Sequence, residues 1–221
     1  MNLEQLVAAF REDAQDRVEP YLWESEDVIR WLNEAQDEAA VRGRLLLDDS
    51  TPQVCRIALE AGRDAYPLHS KLYEIVELHI EGERGGTVNL VTREHMDRME
   101  PDWRTRSDFG QRKYAIQSET QLRLVPAPTQ AGTLVLEGYR LPLKAMKGDF
   151  DRPEVHEAHH ALLVHWVLYR AFSKPDADGV DPTRAEKAKR EFELYFGMRP
   201  DSGLRRAARH DLPQVNATWF A

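Results

Sequence analysis

The run PEVHEAHHALLVHWVLYRAF, Pro153 to Phe172, is the most apolar stretch of this chain. Proline suits the first turn of a helix, so the spacing predicts a helix from Glu154 onward. On a helical wheel Ala158, Leu162 and Tyr169 lie on one side, with Leu163 and Val167 nearly opposite. A helix apolar around its circumference has to be enclosed by other elements, so the rest of the chain must supply that enclosure. The same run matches H-E-x-x-H through His156, Glu157 and His160. On a helix that spacing sets two histidines one turn apart to bind zinc beside a glutamate general base. The stretch is thus expected to be a central packing helix, with the catalytic helix of a zinc-dependent hydrolase as the alternative.

Enclosing helices are visible on both sides of it. Leu3, Leu6, Val7, Phe10 and Ala14 recur at helical spacing and predict a first helix over 3–16. Asn2 and Gln5 have the spacing of a capping box. After Pro20, Ser25 is placed to cap a second helix, with Glu26 and Asp27 in its first turn and Gly43 as its stop. Val28, Ile29, Leu32, Ala35 and Ala39 form its apolar stripe, flanked by Trp23 and Trp31 as packing residues. Near the other end, Asp181 followed by Pro182 predicts an N-cap, and a last helix over 183–196 buries Ala185, Ala188, Phe192, Tyr195 and Phe196 before Gly197.

Between these helices the period changes to two. Cys55, Ile57 and Leu59 alternate with Arg56, Ala58 and Glu60, and a second strand over 73–80 puts Val76, Leu78 and Ile80 on one face. GERGG at 82–86 reads as a turn into a strand over 87–91, and Thr92 caps a short helix that ends before Pro101. Further strands are expected over 113–117, 121–125 and 133–141. Connections this short predict a mostly antiparallel module of about six strands. The fold class is therefore α+β: an antiparallel helical bundle from 1–50 and 151–198, an inserted β module over 51–145, and an extended C-terminal arm over 199–221.

Chemistry is sparse elsewhere. A catalytic zinc needs a third protein ligand, and the extended motif fails because Leu163 and Trp166 stand where its glycine and third histidine belong. Glu186 is the nearest substitute, and Arg190 at i+4 reads as its surface partner. The single cysteine, Cys55, excludes an internal disulfide framework and is expected to be a small buried hydrophobe. Asp48 and Asp49 are expected to be cap and turn residues. No catalytic residue, metal or cofactor is assigned. No apolar run reaches the length of a membrane span, and acids appear too early for a signal peptide, so synthesis in a cytoplasm is expected. A net charge of −8 argues against a general nucleic-acid binder. The arm is the exception: Arg199, Arg205, Arg206 and Arg209 stand against Asp201 and Asp211, and Trp219 and Phe220 end it. Arginines and aromatics on a segment without a period of its own suit one that orders on a partner.

The segment VEPYLWESEDVIRWLNEAQDEAAVRGRLLLDD and, after the β module, PEVHEAHHALLVHWVLYRAFSKPDADGVDP resemble the head-to-tail adaptor proteins of short-tailed bacteriophages, also called connector or tail-tubular proteins. The resemblance runs over residues 1–198. It implies a structural virion protein at the head-tail joint that forms a ring, usually a dodecamer, docked beneath the portal protein. It also implies a tail or nozzle protein below and DNA passing through the channel without sequence-specific binding. An arm reaching the portal is implied too, which makes Arg205, Arg206, Arg209, Trp219 and Phe220 the expected portal contacts. A stopper or tail-completion protein is the nearest variant of that role.

Overall fold

The structure, a computed structural model, describes residues 1–83, 88–106, 109, 112–175 and 179–200. The chain divides into two compact units, one formed by Met1–Leu47 with Arg140–Arg199 and the other by Asp48–Tyr139. The four long helices fall in the first and the sheets, with two short helices, in the second, so the fold is α+β.

The helical unit contains α1 (Leu3–Ala14), α2 (Ser25–Gly43), α5 (His160–Phe172) and α6 (Pro182–Phe196). Asn2 caps α1 through the full capping box with Gln5. The next free amides of α1 are met from the 144–151 loop, where Asp151 O accepts from Leu3 N at 2.8 Å and Asp149 O from Glu4 N at 3.1 Å. Asp151 in turn accepts from Lys147 N and Gly148 N, and these bonds hold its carboxyl below the usual carboxylate range. α1 ends at Gln15, which takes the left-handed conformation. The second helix departs from expectation at both ends. Glu24 stands at its N-cap without a side-chain bond and Ser25 is already helical, because the Ser25 hydroxyl accepts from Arg11 Nη2 at 3.2 Å instead. Its stop is Arg44, at φ 49°, one residue beyond Gly43.

α5 packs against α1, α2 and α6, which is what its apolar circumference requires. Leu6, Phe10, Val28, Leu32, Val164, Val167 and Phe172 form one core with Trp23. Ala35, Ala39, Leu163, Trp166, Phe192 and Phe196 form a second. Trp23 meets Phe10 and Phe172 edge to face, with ring centroids 5.7 and 5.4 Å apart. Asn33, inside the W-L-N-E-A motif, makes reciprocal bonds to the Met146 backbone, donating to its O at 3.0 Å and accepting from its N at 2.8 Å. As expected, α6 is capped by Asp181, which accepts from Thr183 N and Arg184 N, and it ends at Gly197 with φ 91°. Tyr195 differs from expectation: it is half exposed, and only Phe196 of that pair is buried.

The β unit holds two four-stranded sheets. In one, β1 (Leu47–Asp48), β2 (Arg56–Leu59) and β4 (Leu72–Ile80) pair with β8 (Gly132–Arg140). β2 runs antiparallel to β8, with Arg56 opposite Val135 and Leu59 opposite Gly132. The other has the order β3 (Ala65–Pro67), β7 (Gln121–Val125), β6 (Tyr114–Gln117), β5 (Asn89–Val91). β3 was not foreseen, and β5 pairs with β6 in parallel, Asn89 beside Tyr114. The connection between them carries α4 (Arg93–Met99) and exceeds the dozen or so residues a parallel crossover needs. α4 is capped by Thr92 as anticipated, and its Met96 packs with Val91, Trp103, Tyr114, Ile116 and Val125.

Along β4 the buried residues are Leu72, Ile75 and Leu78, while Val76 is half exposed, so a strict two-residue alternation does not hold. The Gln117 carboxamide reaches this strand, accepting from Ile75 N and donating to Tyr73 O. Gly138 of β8 permits close approach to β4: a Cβ there would lie 2.5 Å from Glu74 O and 2.8 Å from Leu72 Cδ1. Gly138→Ala is expected to cost about 1–3 kcal/mol of stability by overpacking. Chemical denaturation checks this, and parental stability would show that the two strands part without strain.

Before β2, the short helix α3 (Pro52–Cys55) replaces the start of the expected strand. Asp48 organises this turn, accepting from Ser50 N at 3.0 Å, Thr51 N at 2.9 Å and Thr51 Oγ1 at 2.6 Å. Cys55 is fully buried and its thiol donates to Asp48. Burial, reinforced by the Asp48 charge, pushes that thiol up to about 11, so it stays protonated at neutral pH. Native protein is expected to resist maleimide labelling and to react once unfolded. Fast labelling of the folded chain would contradict this packing.

Candidate functional site

The H-E-x-x-H segment does not form one helical turn. Residues 152–156 lie outside any helix, with a bend at Glu154 and Val155. Glu154 pairs with Arg140 at 2.6 Å, accepts from Leu143 N at 2.7 Å and donates its own N–H to Gln36 Oε1 at 3.3 Å. Val155 is consequently buried among Ala35, Ala39 and Leu163. His156 is the N-cap of a 3-10 turn over Glu157–His159, with ψ 143°, and its Nδ1 accepts from Ala158 N. α5 begins only at His160. The helix expected from Glu154 is therefore shortened at its start, and His156 and His160 are not successive rungs on one helix.

His160 is itself committed to the core. It is buried, its Nε2 donates to Val155 O at 2.9 Å, and its Nδ1 then faces the Met1 amine at 2.8 Å. Both ring nitrogens are occupied, leaving neither lone pair for a metal. Glu157 and Glu186 are exposed. Among the described residues no group of three His, Cys, Asp or Glu side chains is placed to hold a metal ion. The residues present do not fit the zinc site the motif suggested.

What the segment does build is a corner against α6. His159 Nδ1 lies 3.1 Å from the Tyr195 hydroxyl, and its ring meets Tyr195 and Phe196 at 5.7 and 5.9 Å. Burial, with His156 and His160 beside it, holds His159 below the ordinary histidine value of 6.5. The folded state then binds fewer protons than the unfolded one. The stability this contact contributes is complete above about pH 6.5 and is lost as the pH falls through the folded-state value. The melting temperature is expected to drop on acidification from pH 7 to pH 5.5, with a shallower slope in His159→Gln. Identical slopes in parent and variant would contradict the assignment.

Two surfaces at opposite ends of α6 remain apolar and exposed. At its start, the 15–24 loop displays Val18 at 79% exposure, Tyr21 and Leu22, next to Val180. The loop is pinned from inside by Asp16, which accepts from buried Arg11 and from Leu22 N at 2.9 Å. Arg11 also lies over the Tyr21 ring at 4.0 Å. At the other end, Leu194 (75%), Tyr195 and Met198 (72%) stand clear of the core. Arg42 fixes this end, pairing with Glu38 and Glu193 and lying over Trp166 and Phe192. Sequence reasoning missed both surfaces as candidates, although the aromatic and aliphatic residues of RVEPYLW, in a segment broken by Pro20, were the available signal. The expected arm contacts Arg205, Arg206, Arg209, Trp219 and Phe220 lie outside the described residues.

Exposed apolar surfaces of this size suit contact with other proteins. The family model of the SU10 adaptor protein matches residues 1–216. The chain belongs to that family, and so is a phage structural adaptor and a virion component. Family membership implies oligomerisation and interaction with portal and tail proteins. No curated protein matches the chain. No described helix is long and apolar enough to cross a membrane.

Proposed function

We propose that this chain is a ring-forming head-to-tail adaptor that docks beneath the portal and presents a platform to the tail or nozzle protein. The observation that carries this reading is the adaptor-family match over nearly the whole chain. Twelve copies form the ring, by resemblance to other adaptors. DNA passes through its channel, where a chain of net charge −8 offers little of the phosphate neutralisation that makes DNA adhere. No catalytic step belongs to this role.

The arm after Met198 supplies the portal contact, with Arg205, Arg206, Arg209, Trp219 and Phe220 as anchors. The 23 residues that follow Met198 could span at most about 76 Å at 3.3 Å each, enough to cross a subunit boundary. Arms linked on one ring gain avidity even if each binds weakly. α6 closes at Phe196 and Gly197, so deleting 201–221 is expected to leave the melting temperature of the helical unit unchanged and to abolish cosedimentation with portal rings. Undiminished portal binding by the folded truncated chain would contradict the arm's role.

A further inference from the structure

We infer that the two exposed surfaces at the ends of α6 are the two halves of the contact between neighbouring copies of this chain. On this inference the end of α6 in one copy seats in the hollow beside the 15–24 loop of the next. The inference rests on the proposed ring and assigns its faces.

The hollow is shaped to receive something. It has a volume of about 360 Å³ and is walled by Asp16, Leu22, Trp23, Phe172 and Val180. Trp23 is buried, yet its indole N–H has no hydrogen-bond partner among the described residues. An unmet donor of that kind is costly unless a partner supplies an acceptor. Its surroundings are mainly acidic: between residues 12 and 26, Glu12, Asp13, Glu19, Glu24 and Glu26 are exposed, Arg184 lines the wall of the hollow, and Arg17 is the exposed base of the 12–26 stretch. Arg17 is already paired with Glu12 at 2.8 Å.

The opposite surface has the complementary character. Leu194 and Met198 project as an apolar knob, with Arg190 and Arg199 exposed beside them against exposed Glu191, and Arg199 lies 3.6 Å from Glu38. Bases thus outnumber acids at the knob while acids dominate at the hollow, and such complementarity orients partners and rejects wrong ones. Seated reciprocally, the two faces would close a dimer and stop there, whereas seated one way round they continue from copy to copy. α6, from Pro182 to Phe196, is about 22 Å long at 1.5 Å per residue. It therefore sets the knob and the hollow about that far apart on one chain. Two distinct, complementary patches on one chain make a head-to-tail contact, the kind that closes into rings.

The test uses Val180→Cys and Leu194→Cys, both at exposed positions, with Cys55 buried and unreactive. In assembled material, a short bis-maleimide is expected to join the two variants into a dimer only when they are mixed. The chain carrying both cysteines should give a ladder of covalent oligomers. Leu194→Asp and Val180→Asp should each lower the assembled fraction at least tenfold by sedimentation velocity while keeping the parental melting temperature. Cross-linking of either single variant to itself, or full assembly of the aspartate variants, overturns the assignment of faces but leaves the ring standing. A parent chain that stays monomeric both alone and on portal rings overturns the ring and this inference together. Capture of the knob by the portal or tail protein instead would appear as parental self-assembly by Leu194→Asp with loss of that partner.

Discussion

Replacing Asp16 by alanine is expected to destabilise the helical unit by about 3–5 kcal/mol, because it leaves the Arg11 guanidinium buried without its counter-charge. The side chains of Arg11 and Asp16 are 9% and 7% exposed, so water cannot take over as partner. Asp16 also accepts from Leu22 N and, more weakly, from Trp23 N, so the 15–24 loop loses its internal anchor at the same time. Asp16→Asn, which keeps an acceptor but not the charge, should fall between parent and alanine. Removing both charges with Arg11→Met and Asp16→Leu should recover the part due to the unpaired guanidinium, since a buried ion pair contributes little relative to apolar residues of similar volume, while the loss of the Leu22 and Trp23 amide bonds remains. Urea denaturation of the four proteins reads this directly. A loss below about 1 kcal/mol for the alanine variant, the size of a surface pair, would show that the site is solvated.

Phe192→Ala should be comparably severe, at about 3–5 kcal/mol. Phe192 is fully buried, its ring centroid 5.1 Å from that of Trp166 and 4.6 Å from that of Phe196. It also forms part of the apolar floor beneath Arg42. The contacts it makes join α6 to α5, and the cavity it leaves cannot close without moving Arg42 away from Glu38 and Glu193. Phe192→Leu, which retains most of the volume, should recover the greater part. If the alanine variant lost less than about 1.5 kcal/mol, the end of α6 would have to be only loosely attached, and the knob carried by Leu194 and Met198 would lack a rigid base.

Local chemistry was readable from the sequence, and long-range chemistry was not. Asn2 with Gln5, Thr92 and Asp181 each cap the helix their spacing announced, because a cap depends on residues two or three positions away. The enclosure of α5 was legible for the same reason, since an apolar circumference is written within one segment. The start of α5 was not. Glu154 is drawn into bonds with Arg140, Leu143 and Gln36, partners far off in sequence, and they hold the chain out of the helix that Pro153 suggested. That same tether dissolves the zinc motif. The parallel pairing of β5 with β6 was missed because strand direction depends on where the chain returns, and a period-two pattern carries no direction. As for the candidate site, the apolar letters of RVEPYLW were visible, but only the fold shows that Trp23 turns inward while Val18, Tyr21 and Leu22 stay out.

Electron microscopy of the full chain, alone and mixed with portal rings of the same virion, addresses the adaptor role most directly. The account predicts a ring of this chain seated on one face of the portal, sharing its rotational symmetry and leaving an open axial channel. Portal particles without added density, in the presence of excess folded chain, would contradict it.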